Sequence, residues 1–148
     1  MAQQAPSTGE KKENPIVSYL RLPQSPGEQA YLWGSKCKSC GAVYTGSRMA
    51  CSKCFSTEPM EEVRFSNRGK VWTFSVVHQS APGIPSPYVA AVVDLPEGGS
   101  VKANIEGVDP LKPDRSWLGM EVEMYTEKVR TDREGNDIIA YKFRPVKR

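Results

Sequence analysis

From residue 63 onward the apolar positions recur every second residue, the period of a strand with one buried face. Residues 63–65 begin the series, and 70–77 alternate while being rich in β-branched and aromatic side chains, which makes them the most distinct strand of the chain. Residues 88–95 hold a continuous apolar run, Val89 to Val93, and such a run predicts burial on both faces. Residues 100–105, 119–125 and 138–143 complete the set. Turn-forming residues separate these segments: 66–69, a loop with Pro82, Pro85 and Pro87, then 96–99, 107–113 and 134–136. Short strands at this spacing, with no long helical pattern between them, predict a small all-β fold. Five or six strands suit a closed barrel of the OB type.

The first half reads differently. Residues 1–14 offer nothing to bury and are expected to form a disordered tail. Asn14-Pro15 has the form of a helix cap followed by proline in the first turn, and Ile16, Val17, Tyr19, Leu20 and Leu22 follow, ended by Pro23. A short helical segment is expected there. Ser25-Pro26-Gly27-Glu28 has capping-box spacing with room for only a turn, so 15–29 forms a helical and turn segment. Residues 30–36, with Tyr31, Leu32 and Trp33, predict a strand, and 42–44 return beside it after Gly41. The expected organisation is then a ribbon over 30–60 and a barrel over 61–148.

The hairpin turn carries chemistry. Cys37-Lys38-Ser39-Cys40 and Cys51-Ser52-Lys53-Cys54 hold the only four cysteines, as two Cys-x-x-Cys pairs ten residues apart. A two-residue gap lets both sulfurs of a pair turn to one point, and two facing pairs make a tetrahedral S₄ cage suited to Zn²⁺. All four corners are protein sulfur, so the ion is structural and no position stays open for substrate. Iron suits the same cage. Two disulfides would need an oxidising compartment, and nothing in the chain indicates one. A ribbon this small draws its folding energy from the metal, so chelation should unfold it first.

Composition narrows the function classes. A net charge of +3 with 25% charged residues falls well short of a strongly basic nucleic-acid binder. No stretch approaches the length of a membrane-spanning helix, and the first residues lack a secretory apolar core, so the cytoplasm is the expected location. No catalytic constellation emerges. The four cysteines are committed to metal, and the single histidine, His78, stands at a strand end with Ser75 and Ser80 nearby but no nucleophile signature around them. The chain is not expected to be an enzyme alone. Binding is better supported: Lys36, Lys38, Arg48 and Lys53 surround the cysteines, with no acidic residue from Gln29 to Thr57. They exceed the −2 charge of a Zn(Cys)₄ cluster and suit phosphates, or serve only to balance the thiolates. Trp33, Tyr44 and Phe55 lie close by in sequence, available to stack on a ring or to fill the joint between ribbon and barrel.

The order of parts carries a resemblance. Gly34-Ser35-Lys36-Cys37-Lys38-Ser39-Cys40-Gly41, Arg48 before Cys51-Ser52-Lys53-Cys54, residues 69–78, Pro87-Tyr88-Val89-Ala90 and Tyr141-Lys142-Phe143-Arg144-Pro145 together resemble the zinc-ribbon/OB-fold proteins associated with thiolases and other acyl-CoA enzymes. Members often have proline where Ser47 and Ser52 stand here. The resemblance implies a rubredoxin-like zinc ribbon followed by an OB barrel, in a non-catalytic subunit that docks on a thiolase-fold catalytic partner, stabilises it and assists CoA or acyl-CoA binding. Ile84, Trp117 and Leu118, in loops, are candidates for the docking surface. A single-stranded nucleic-acid-binding module is the alternative, since ribbons and OB barrels both serve that use, and a rubredoxin-like electron carrier is a third reading.

Overall fold

The computed structural model describes residues 12–146. Ten strands fill it: β1 (Glu13–Pro15), β2 (Leu20–Arg21), β3 (Tyr31–Lys36), β4 (Val43–Thr45), β5 (Glu61–Arg64), β6 (Arg68–Val77), β7 (Tyr88–Asp94), β8 (Ser100–Ile105), β9 (Glu121–Thr131) and β10 (Asp137–Pro145), with one 3₁₀ turn at Arg115–Trp117. β6, β7 and β8 pair in antiparallel succession. β8 meets β10 in parallel at Ile105 and Phe143, β10 runs antiparallel to β9, and β9 returns to β6. The five strands therefore close into the Greek-key barrel of the OB fold, which removes the free sheet edges. Val71, Val93, Val122 and Phe143 are fully buried inside.

β7 alternates strictly, with Val89, Ala91 and Val93 buried and Ala90 and Val92 half-buried. Burial on both faces was expected; a closed barrel has one interior, and small apolar residues simply occupy the outer side of a central strand. In β6 the register slips between Val71 and Thr73, so Trp72 is the extra residue of a bulge and turns outward, 67% exposed.

The expected N-terminal helix is absent. Residues 1–11 lie outside the described residues, and Glu13 and Asn14, assigned by sequence to the tail, belong to β1. That strand pairs in parallel with the start of β10; Asp137 N–H donates to the Lys12 carbonyl at 2.9 Å and Ile16 N–H to the Ile139 carbonyl at 2.8 Å. These bonds hold the backbone extended where a helix would have had to begin. Pro15, which has no N–H to give, is tolerated because β1 is the outermost strand of its sheet. The apolar residues after it serve packing instead: Leu20 is 2% exposed, and Val17, Tyr19 and Leu22 pack against the core. Ser25 to Glu28 forms a single turn, in which the Gln24 N–H donates to the Glu28 carboxylate at 3.1 Å. That bond holds the Glu28 carboxyl below its usual range.

The ribbon sheet is built on β3. Trp33 N–H donates to the Tyr19 carbonyl and Gly46 N–H to the Trp33 carbonyl, so β2 and β4 succeed one another along one edge. β5 takes the other edge, opposite Trp33 to Lys36. Several contacts fix the sheet to the barrel, among them the Thr45 hydroxyl of β4, which donates to the Ser100 carbonyl of β8 at 2.8 Å. The Tyr19 hydroxyl meets that of Tyr141 at 2.8 Å, and Tyr141 donates on to the Lys102 carbonyl at 2.6 Å. Phe65, 2% exposed, lies between Gly34 of the ribbon and Gly99 of the β7–β8 turn, where a Cβ would come within 2.6 and 2.8 Å of its ring. Leu20, Leu32 and Phe65 thereby join Val71, Val93 and Phe143 in one continuous hydrophobic cluster.

Trp117, expected on an exposed loop, is buried. Asp114 accepts from the Ser116 N–H at 2.7 Å and starts the 3₁₀ turn, which directs the indole onto Phe74 at 5.0 Å between centroids. Ile84 and Leu118 remain about half exposed.

Candidate metal centre

β3 delivers Cys37 and β4 begins just after Cys40, so the first pair sits in the hairpin turn. Cys51 and Cys54 lie in the following loop, which repeats the same hydrogen bonds. Gly41 N–H donates to the Cys37 carbonyl at 2.9 Å and Cys37 N–H to Ala42 at 2.8 Å; Phe55 N–H donates to the Cys51 carbonyl at 2.9 Å and Cys51 N–H to Ser56 at 2.9 Å. Each knuckle needs a left-handed residue after its second cysteine. Gly41 fills that place at φ +80° and Phe55 at φ +64°. The match between Gly41 and Phe55 was visible in the sequence, because both directly follow a Cys-x-x-Cys pair.

The four sulfurs lie within 4.8 Å of one another, with Cys37–Cys54 at 3.6 Å and Cys40–Cys51 at 3.5 Å. Four bonds of about 2.3 Å at the tetrahedral angle ask for edges of about 3.8 Å, so the cage has the size and donor set for one tetrahedral ion. All four cysteines are free; Cys37 and Cys51 are buried, and Cys40 and Cys54 are exposed.

The thiols are not equivalent. Tyr44 holds its hydroxyl 3.3 Å from Cys51 Sγ, and the Cys54 N–H points at the same sulfur at 3.5 Å. These donors, Tyr44 first, bring the Cys51 thiol down to about 6. The backbone N–H of Cys40 lowers Cys37. Cys54 goes the other way: the Ser56 N–H favours its thiolate, yet desolvation and the three neighbouring sulfurs outweigh that and push it up to about 12. Four thiolates cannot share this space without a cation among them.

Sequence reasoning singled out the four cysteines that cluster here but not the support around them. Tyr44 receives a hydrogen bond from the Ser52 hydroxyl at 2.9 Å and carries the Arg48 guanidinium over its ring at 4.9 Å. Ser52 supplies that donor through its side chain. Arg48 thus reaches the cage through Tyr44. Lys36, Lys38 and Lys53 are exposed around the knuckles with no carboxylate paired to them among the described residues. Trp33 is half-buried under the Arg21 guanidinium, with its Nε1–H on the Ser18 carbonyl at 3.1 Å, and Phe55 points out of the fold. Phe65, Tyr19 and Tyr141, rather than Trp33 or Phe55, fill the joint. His78 is an exposed residue beyond the end of β6. Among the described residues no helix is long and apolar enough to cross a membrane.

Residues 62–127 match the family model described as the ChsH2 C-terminal OB-fold domain. Known proteins are similar over most of the chain. A DUF35 domain-containing scaffold protein of Methanocaldococcus jannaschii is 38% identical over 80% of this chain and 84% of its own length. The benzoylsuccinyl-CoA thiolase subunit BbsA of Geobacter metallireducens is 36% identical over 92% of each chain, and that of Thauera aromatica 34% identical over 99% of this chain and 100% of its own. Among solved structures, the Ltp2-ChsH2(DUF35) aldolase superposes with a TM-score of 0.59 at 28% identity, over 78% of this chain and 84% of the other. With the barrel order, the cysteine cage and these end-to-end likenesses in agreement, the chain belongs to the DUF35/ChsH2 OB-fold family.

Proposed function

We propose that this protein is a non-catalytic accessory subunit of a thiolase-type acyl-CoA enzyme, that Cys37, Cys40, Cys51 and Cys54 hold a structural Zn²⁺, and that the basic ribbon assists binding of the CoA thioester in the complex. The observation that carries the reading is the correspondence with the Thauera subunit along its full length, 34% identical over 99% of this chain. The cysteine cage agrees with it. Thiolase chemistry needs a cysteine free to attack a thioester, and all four thiols here converge on one point, so turnover falls to a partner chain. In that complex the ribbon, whose sheet takes in β5 beyond the expected boundary at residue 60, would face the partner and the thioester, and the barrel strands β6 to β10 would act as scaffold. In such a complex Lys36 and Lys38, beside the first Cys-x-x-Cys pair, would meet CoA phosphates, while Arg48 and Lys53 flank the second.

The test is reconstitution. The full chain, produced with the thiolase-fold chain encoded by the same host, is expected to co-elute with it as a stable hetero-oligomer that is colourless and contains about one zinc per copy of this chain. Recovery of the two as separate species, or acyl transfer by this chain alone, would reject the reading. In the complex, Lys38→Ala is expected to raise the apparent KM for CoA severalfold with kcat unchanged; unaltered kinetics would remove the phosphate role from that residue.

A further inference from the structure

The two knuckles share one backbone but not one surface. After the first pair the left-handed position is filled by Gly41, the residue that adopts it without a steric penalty. After the second it is filled by Phe55, which carries a Cβ into the same strained region at φ +64°. Packing within the chain does not offset that strain, because Phe55 is 81% exposed. Met49, two residues before Cys51, is 93% exposed. The bond from Cys51 N–H to the Ser56 carbonyl closes the loop from which Phe55 projects, and Met49 stands on the segment that leads into it. Around them are Arg48 and Lys53, both exposed, in a stretch with no acidic residue from Gln29 to Thr57.

We infer that Phe55 and Met49 are the anchors of a docking surface on the second knuckle, and that its occupant is the catalytic partner subunit, through an apolar socket rimmed by carboxylates. This rests on the reading of the chain as an accessory subunit. An aromatic ring and a methionine at the centre with cations at the edge is the composition of an interface core and rim. The charge selects the occupant. A knuckle-to-knuckle contact between two copies would set the acid-free stretch 29–57 against itself, whereas an acidic rim complements Arg48 and Lys53.

The experiment uses the zinc-loaded full chain and the purified catalytic chain of the same host. Phe55→Gly is expected to weaken the complex on the order of tenfold or more, while zinc is held against a chelator at least as tightly as in the wild type, because glycine relieves the left-handed strain. Lys53→Glu is expected to slow association and flatten its salt dependence. In the wild-type complex, mass spectrometry should show Met49 protected from dilute peroxide. Wild-type affinity in Phe55→Gly, equal Met49 oxidation with and without the partner, or self-association of this chain abolished by Phe55→Gly would each overturn the inference and leave the accessory role standing. Zinc loss in Phe55→Gly would also overturn it, by showing that Phe55 serves the knuckle itself. Failure of the wild-type chain to bind would overturn the accessory role, and this surface with it.

Discussion

Tyr44 is a half-buried residue that couples the surface to the cage. Its hydroxyl lies 3.3 Å from Cys51 Sγ, Ser52 donates to it, and Arg48 covers its ring. Donors to a ligating sulfur orient it and stabilise its thiolate, and their loss weakens metal binding by about 10- to 100-fold. The sign with pH follows from the titration of Cys51. Its folded value, depressed to about 6, means that the thiolate is favoured and that this contribution disappears as pH falls through that value. In Tyr44→Phe the thiol returns towards its ordinary range, protons compete with the ion sooner, and the midpoint for zinc loss on acidification is expected to move to higher pH. An indicator titration of zinc release checks this; an unmoved midpoint would show that the hydroxyl does not act on the sulfur.

At the scale of elements, the joint between ribbon and barrel depends on two glycines without side chains. A Cβ on Gly34 would collide with the Tyr44 carbonyl and lie 2.6 Å from the ring of Phe65. Gly34→Ala is expected to cost about 1–3 kcal/mol, read as a lower denaturant midpoint with the slope unchanged; wild-type stability would show that β3 can shift away. Much of this level was legible beforehand. The alternation over 70–77, the turn at 96–99 and the Cys-x-x-Cys hairpin each became the expected element, because local residue choice agrees there with the final packing. The exceptions have specific causes. Residues 14–22 carry helix-start signals, but 14–16 are claimed by pairing with β10, more than a hundred residues away in sequence, and 20–21 by pairing with β3. Residues 126–131 of β9 are exposed throughout and show no alternation, so only their bonds to β10 reveal the strand. The convergence of the four cysteines was legible because metal chemistry fixes such spacing. Tyr44 was not, since nothing local separates a tyrosine that supports a sulfur from one that packs.

For the whole molecule, Leu20, Leu32 and Phe65 belong to the same cluster as the barrel core, while the four cysteines of the knuckles lie outside it. Chelation is therefore expected to open the chain unevenly. Amides of residues 37–56 should lose their hydrogen-exchange protection, while those at Leu32 and Phe65 and throughout β6 and β7 keep theirs. Simultaneous loss in both regions would mean that ribbon and barrel fold as one cooperative unit.

β1 is laid into the barrel sheet before the ribbon begins, and β6 enters it after the ribbon ends. The ribbon is thus an excursion with both feet on the same ground. Stripping its ion frees a closed loop, not a dangling arm, and the four sulfurs stay confined to a small volume with little entropy to surrender on reunion. Metal loss in this architecture is expected to be a local and repeatable event, with a stripped copy ready to be refilled without first being rebuilt.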